Sequence, residues 1–225
     1  MFVTNSILNI LPELLNIALK FFVGLVTAKL LGPENLGVTA AIGLIFLYSV
    51  LLQLGVTDGT ALKVYSLKRD RGSYDKLRKI YISSSYVFVN AVLVVASAVL
   101  LIILNIFYTF DYVSWLGIYT NILIAFLYQY FQFSQLFARF DYDFKSISKV
   151  QILDLTFKAF ITIVLVYLYG VVGFFIALFF GYLIGAIFSK KLLNPKFKLI
   201  LSKKAIKETI RLGFPLLLIG AVLTL

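Results

Sequence analysis

Asn9, Glu13, Asn16, Lys20 and Thr27 stand four, three, four and seven residues apart in an otherwise apolar stretch, from about residue 7 to residue 31. Those steps keep one face of an α-helix. Two ionisable groups and two amides are costly in hydrocarbon, so such residues normally face a bundle interior or a wet cavity. Lys20 on that face suits attraction of an anionic group. The plainer reading is helix–helix glue, with the amides and a Glu–Lys pair satisfying one another or a neighbouring helix. Lys29 lies nearly opposite Lys20 on the helical wheel and near a helix end, where it would snorkel to the interface.

A second stripe, Gln151, Asp154, Lys158 and Thr162, advances by three, four and four residues. Asp154 and Lys158 form an i, i+4 acid-before-base pair, the favoured orientation for a helical ion pair. The pair reads either as structural, buried between helices, or as a site that exchanges partners when substrate or a proton arrives. A third set, Asn121, Tyr128, Gln132, Gln135 and Arg139, steps by seven, four, three and four. Amides and phenols among aromatics suit sugar hydroxyls and rings, and equally suit interhelical hydrogen bonds. Gln53 and Asp58 are further polar candidates, although Asp58-Gly59 also reads as a turn.

Enzyme constellations are not evident. The 225 residues contain no Cys and no His, which removes thiolate chemistry, disulfides and the usual zinc and haem ligands. The ten acids are scattered; Asp141 and Asp143, the close pair, sit beside Arg139 and Lys145 as a solvated loop cluster would. A hard divalent cation needs clustered oxygens, and Gly-rich phosphate loops are absent. No cofactor is expected.

These stripes need long helices to carry them. The chain is 61% hydrophobic and 14% charged, with mean hydropathy +0.99. Soluble domains are about 45–50% apolar and about 25% charged, so the composition is that of an integral membrane protein. A span takes about 20 apolar residues. Six spans are expected at 7–31, 36–57, 82–107, 115–138, 150–169 and 171–189, and a seventh starts near Thr209 and is still apolar at Leu225. The expectation is a chain cut inside its seventh helix. The N-terminus lacks a basic n-region, and Pro12 and Glu13 interrupt its first apolar run, so no cleavable signal peptide is expected.

The net charge of +11 would suggest nucleic acid in a soluble protein. Here it sorts by loop. Residues 58–81, 139–149 and 190–211 hold eighteen of the twenty-one basic residues, and the alternate connections at 32–35, 108–114 and 170 hold none. The positive-inside rule puts the N-terminus and the three basic loops in the cytoplasm, with no nucleic-acid partner. Tyr108, Tyr112, Trp115 and Tyr119 fit an outer aromatic belt. Residues 74–79 and 202–211 read as short amphipathic helices touching membrane lipids at the inner interface. The stretch around Pro12 can be laid over that around Pro215, both near the cytoplasmic start of an inside-to-outside span. Parallel repeats of this kind are a known transporter plan.

One segment resembles a family. Ala28-Lys-Leu-Leu-Gly-Pro-Glu-Asn-Leu-Gly37, between the first two spans, is similar to the segment at the same place in polysaccharide-unit (O-antigen, lipid-linked oligosaccharide) flippases of the multidrug/oligosaccharidyl-lipid/polysaccharide exporter superfamily. The basic loop after the second span, six spans in about 190 residues and the restart at Ile206-Lys-Glu-Thr-Ile-Arg-Leu-Gly-Phe-Pro215 extend the resemblance over the N-terminal half of a typical member. It implies an all-α integral membrane fold, with six transmembrane helices forming one lobe of a two-lobe, MATE-like transporter plus the start of a seventh helix. The domains would be a membrane lobe at 1–189, a basic cytoplasmic linker at 190–210 and the start of a second lobe at 211–225. It further implies flipping of polyprenyl-pyrophosphate-linked oligosaccharides across the cell membrane by alternating access, for surface polysaccharide biosynthesis.

The expected substrate cavity is lined by Asn9, Glu13, Asn16, Lys20, Gln132, Gln151, Asp154 and Lys158. Expected partners are the lipid-linked oligosaccharide, a coupling proton or sodium ion, and a second lobe or second copy to supply the opposite wall. The alternatives are a cation-coupled drug or metabolite exporter of the same superfamily, and a non-transporting membrane scaffold in a polysaccharide synthesis complex.

Overall fold

The computed structural model describes the backbone of residues 2–67 and 74–224, and side chains for residues 12–67 and 74–219. Six helices account for nearly all of it: α1 (Phe2–Leu51), α2 (Val56–Leu67), α3 (Tyr74–Phe107), α4 (Tyr112–Phe140), α5 (Phe144–Leu193) and α6 (Lys203–Thr224). No strand occurs among the described residues. Three stretches are long and apolar enough to cross a membrane: Pro12–Leu67, Tyr74–Phe107 and Phe144–Leu193. Large apolar side chains on α1, among them Ile17, Phe21 and Leu25, are exposed, which suits contact with lipid. This is a helical membrane protein.

The chain forms two compact units that interleave in sequence. The first comprises Met1–Leu47 and Tyr108–Pro195. It holds most of α1 with α4 and α5, and both long helices are broken by glycine. Gly32 takes φ +75, a conformation open to glycine, and Pro33 follows it. Proline suits the first turn of the new arm because its missing N–H has no helical partner there. The break frees the Leu31 carbonyl, which accepts a hydrogen bond from Asn35 Nδ2 at 3.0 Å.

Gly170, at φ +56, breaks α5 more sharply. A Cβ on Gly173 would fall on the Leu165 carbonyl, while Lys158 lies against Gly181 and Asp154 against Gly185. The partners draw together toward Gly170, so the two arms of α5 run antiparallel. They lie side by side because glycines on the returning arm make room for the charged side chains of the outgoing one. α4 packs on α5, with Gly117 against the ring of the fully buried Phe175. A tight connection at 141–143 joins these helices, and Asp143 caps α5 by accepting from Ser146 N at 3.1 Å. Asp143 is thus a helix cap, and Asp141, Arg139 and Lys145 around it are exposed, as a solvated charge cluster would be.

The second unit comprises Tyr48–Phe107 and Lys196–Leu225. A left-handed turn at Leu54 and Gly55 leads from α1 into α2. α2 then runs antiparallel to α6 at backbone contact: a Cβ on Gly55 would strike the Gly213 carbonyl, and one on Gly59 the Thr209 carbonyl. Small residues four apart on both helices permit this approach. The basic stretch expected as a loop at 58–81 is helical through Leu67 and again from Tyr74. The short amphipathic helices expected at 74–79 and 202–211 are the opening turns of α3 and α6.

Candidate functional site

The first unit gathers the polar stripes. Asp154 and Lys158, on the outgoing arm of α5, form the expected pair at 2.8 Å, with Asp154 buried and Lys158 partly so. Lys158 is also caged by aromatics, its Nζ 3.7 Å from the centre of the Tyr182 ring and 5.6 Å from that of Phe131. Tyr182 belongs to a ring cluster with Phe46, at 5.6 Å, and Tyr128, at 6.2 Å. A carboxylate on one side and a ring face on another offset the cost of holding an ammonium away from water.

Two cavities flank the pair. One, of about 340 Å³, is lined by Asn16, Lys20, Thr27, Lys158, Thr162 and Tyr182 together with apolar residues. Its two cations differ. Lys158 is occupied by Asp154 and Tyr182, whereas Lys20 is exposed and has no hydrogen-bond or ion-pair partner among the described residues. The other cavity, of about 140 Å³, is lined by Glu13, Asn16, Gln151 and Asp154 with Pro12, Phe131 and Leu155. It is rich in acceptors: Asn16 Oδ1 and Asp154 Oδ1 are both buried without a hydrogen bond. A third cavity, of about 350 Å³ and mostly apolar, shares Leu36, Phe174, Leu178 and Tyr182 with the first.

The expected residues therefore separate. Asn16, Lys20 and Lys158 border the larger polar cavity, and Glu13, Asn16, Gln151 and Asp154 the smaller. Asn9 lies in α1, but its side chain is outside the described residues. Gln132 donates to the Tyr128 hydroxyl within α4, and Gln135 accepts from Gln151 Nε2 at 2.9 Å, tying α4 to α5. Asn121 returns its amide to the Gly117 carbonyl at 2.9 Å and borders the apolar cavity. Lys29 is exposed. Tyr182 was missed, as were Gly181 and Gly185, which seat Lys158 and Asp154. The four-residue glycine spacing, opposite a charged pair at the same spacing, was the available signal.

Long apolar helices, glycine-broken arms and a largely buried ion pair beside polar cavities define the class: a helical membrane protein with a polar site among its helices. No family model and no curated protein matches the chain. A solved structure does: that of a MOP superfamily transporter from Pyrococcus furiosus, for which the reversed polarity of its binding pocket is said to suggest a different function. The TM-score is 0.66 at 16% identity, covering 92% of this chain and 50% of that one. At that identity the likeness shows the fold. The chain has the fold of part of a MOP transporter and spans half of that transporter's length.

Proposed function

We propose that this chain is one lobe of a membrane flippase for polyprenyl-pyrophosphate-linked oligosaccharides, working by alternating access in the cell membrane with its N-terminus in the cytoplasm. The observation that carries the reading is Lys20: an ammonium with no hydrogen-bond or ion-pair partner among the described residues, on an apolar helix and opening on a cavity that it shares with Lys158 and Tyr182. A cation left unpaired there is suited to an anionic group, and the neighbouring rings and amides suit sugars. In this reading the six apolar stretches, with the arms of α1 and of α5 counted separately, are six crossings. A second lobe or a second copy supplies the facing wall.

The smaller cavity favours a coupling cation. Glu13, Asn16, Gln151 and Asp154 offer the oxygens that a sodium ion or proton would use. The same cavity is the observation behind a second reading, a cation-coupled exporter of the same superfamily with a different cargo.

The test is binding of a polyprenyl pyrophosphate by the chain in nanodiscs, followed by flipping of a fluorescent lipid-linked sugar in proteoliposomes. Lys20→Ala should weaken pyrophosphate-lipid binding about tenfold, the loss of one charge contact, with the amount of folded protein unchanged. Unaltered binding by Lys20→Ala combined with Asp154→Asn would sink the cavity assignment. A scaffold would neither bind nor flip the lipid, and an exporter of other cargo would bind a cation but not the pyrophosphate lipid.

A further inference from the structure

Between α5 and α6, the part of the chain that belongs to the second unit is strapped down at two points. Ser83 Oγ accepts from Lys198 N at 3.2 Å, and Ser84 Oγ accepts from Ser202 N at 3.1 Å. Just before the strap, Phe197 stacks on Tyr86 with ring centres 4.4 Å apart and planes 11° apart. Between the clamps, Ile200 N bonds back to Lys198 O at 2.8 Å, closing a tight turn. That turn holds Leu199 and Leu201 outward, 97% and 63% exposed.

Single exposed leucines are common and need no explanation. Here two stand on a backbone whose ends are both bonded to buried serines, so the display is built into the fold. Along the chain they are flanked by one sign of charge. Residues 196–207 contain Lys196, Lys198, Lys203, Lys204 and Lys207, all exposed, and no acid. The nearest acid along the chain, Glu208, is bonded to Lys63 and Tyr81. Apolar prongs flanked by exposed ammonium groups match a membrane surface of anionic headgroups. The leucines enter the boundary between headgroup and acyl chain while the lysines meet phosphates.

We propose that residues 196–207 form a lipid-docking prong, with Leu199 and Leu201 inserted into an anionic leaflet and the lysines selecting its charge. The partner is the lipid surface itself. This assignment is independent of any cargo.

The chain has no Cys, so Leu199→Cys gives a unique labelling site at an exposed position. The whole chain, labelled there with an environment-sensitive fluorophore, is reconstituted into vesicles of phosphatidylcholine alone or with phosphatidylglycerol. A headgroup-attached quencher reports contact. Quenching should be about fivefold stronger with phosphatidylglycerol than without, and high salt should reduce it by screening the lysines. Replacing Lys196, Lys198, Lys203 and Lys204 by Gln should do the same at unchanged salt. A label that stays water-exposed in anionic vesicles overturns the proposal. Equal quenching in both lipids overturns the charge-selective part, and protection from the quencher without lipid contact would mean that protein covers the prong. Because the salt arm uses the same labelled protein, the result does not depend on how the lysine variant folds.

Discussion

Asp154 and Ser84 are both buried polar groups on long apolar helices, one in each unit, and the fold treats them oppositely. Ser84 is fully buried and used, as are Ser83 and Ser85 beside it: two hold the strap, and the third accepts from Thr60 Oγ1 at 2.7 Å. Asp154 spends one oxygen on Lys158 and leaves the other unbonded. Nearby, Asn16 Oδ1 and Thr27 Oγ1 are also buried without partners, and Gln129 is fully buried with both ends of its amide unbonded. A buried polar atom without a partner costs stability. Such atoms occur in the second unit as well, Gln53 Nε2 among them. What sets the first unit apart is that Asn16, Thr27 and Asp154 border its cavities, where something can arrive, while the serines at 83–85 are paired and hold.

The largest test of this contrast is Lys158→Met. It strands the Asp154 carboxylate, and breaking a buried pair from one side costs about 3–5 kcal/mol. Asp154→Leu with Lys158→Met removes both charges and should recover most of that loss in thermal or denaturant unfolding. If the single variant is no less stable than the double, the pair is not the buried charge couple described.

Next comes Gly59→Leu in the second unit. The new side chain would meet the Thr209 carbonyl, and overpacking of this kind costs about 1–3 kcal/mol. Differential crosslinking of α2 to α6, using introduced cysteines, should show the two helices forced apart. An unchanged crosslinking pattern would mean that the backbone contact is not what joins them.

The smallest effect is acid sensitivity at Glu208. Its carboxylate accepts from Lys63 Nζ at 2.8 Å and Tyr81 Oη at 2.6 Å, with Lys204 adding favourable charge, and these hold its pKa below the usual 4.5. A depressed carboxylate contributes stability that is fully present above its unfolded pKa and is lost as pH falls through its folded pKa. The contacts joining α6 to α2 and α3 should therefore loosen below about pH 4.5, and Glu208→Gln should remove that part of the pH dependence. An identical acid profile in the variant would assign the loosening to other groups.

How much of this was legible in the sequence follows from the range of each interaction. The Asp154–Lys158 pair was readable because its partners are one helical turn apart. The breaks at Gly32 and Gly170 were readable because the connections were placed there, one marked by Gly-Pro and the other by a lone glycine between apolar runs. What stayed hidden lies far apart in sequence. Lys158 on Tyr182, Ser84 on Ser202 and Glu208 on Lys63 join residues 24, 118 and 145 positions apart, and no local period announces such pairs. The helical character of Val56–Leu67 was masked by its charges, which the reading assigned to a loop. Its pattern makes sense only against α6, whose Thr209 and Gly213 accept a close backbone.

The glycine at position 170 has a last consequence, in counting. Because one residue separates the two arms of α5, the seats at Gly181 and Gly185 are fixed by their distance along the chain from Gly170, as marks on a ruler are fixed by its end. One residue added between positions 171 and 180 would turn the returning arm by about 100° and carry both seats away from Lys158 and Asp154. A substitution along that stretch acts where it stands, as at Gly173 or the buried Phe175, whereas an insertion or deletion changes the address of the charge pair.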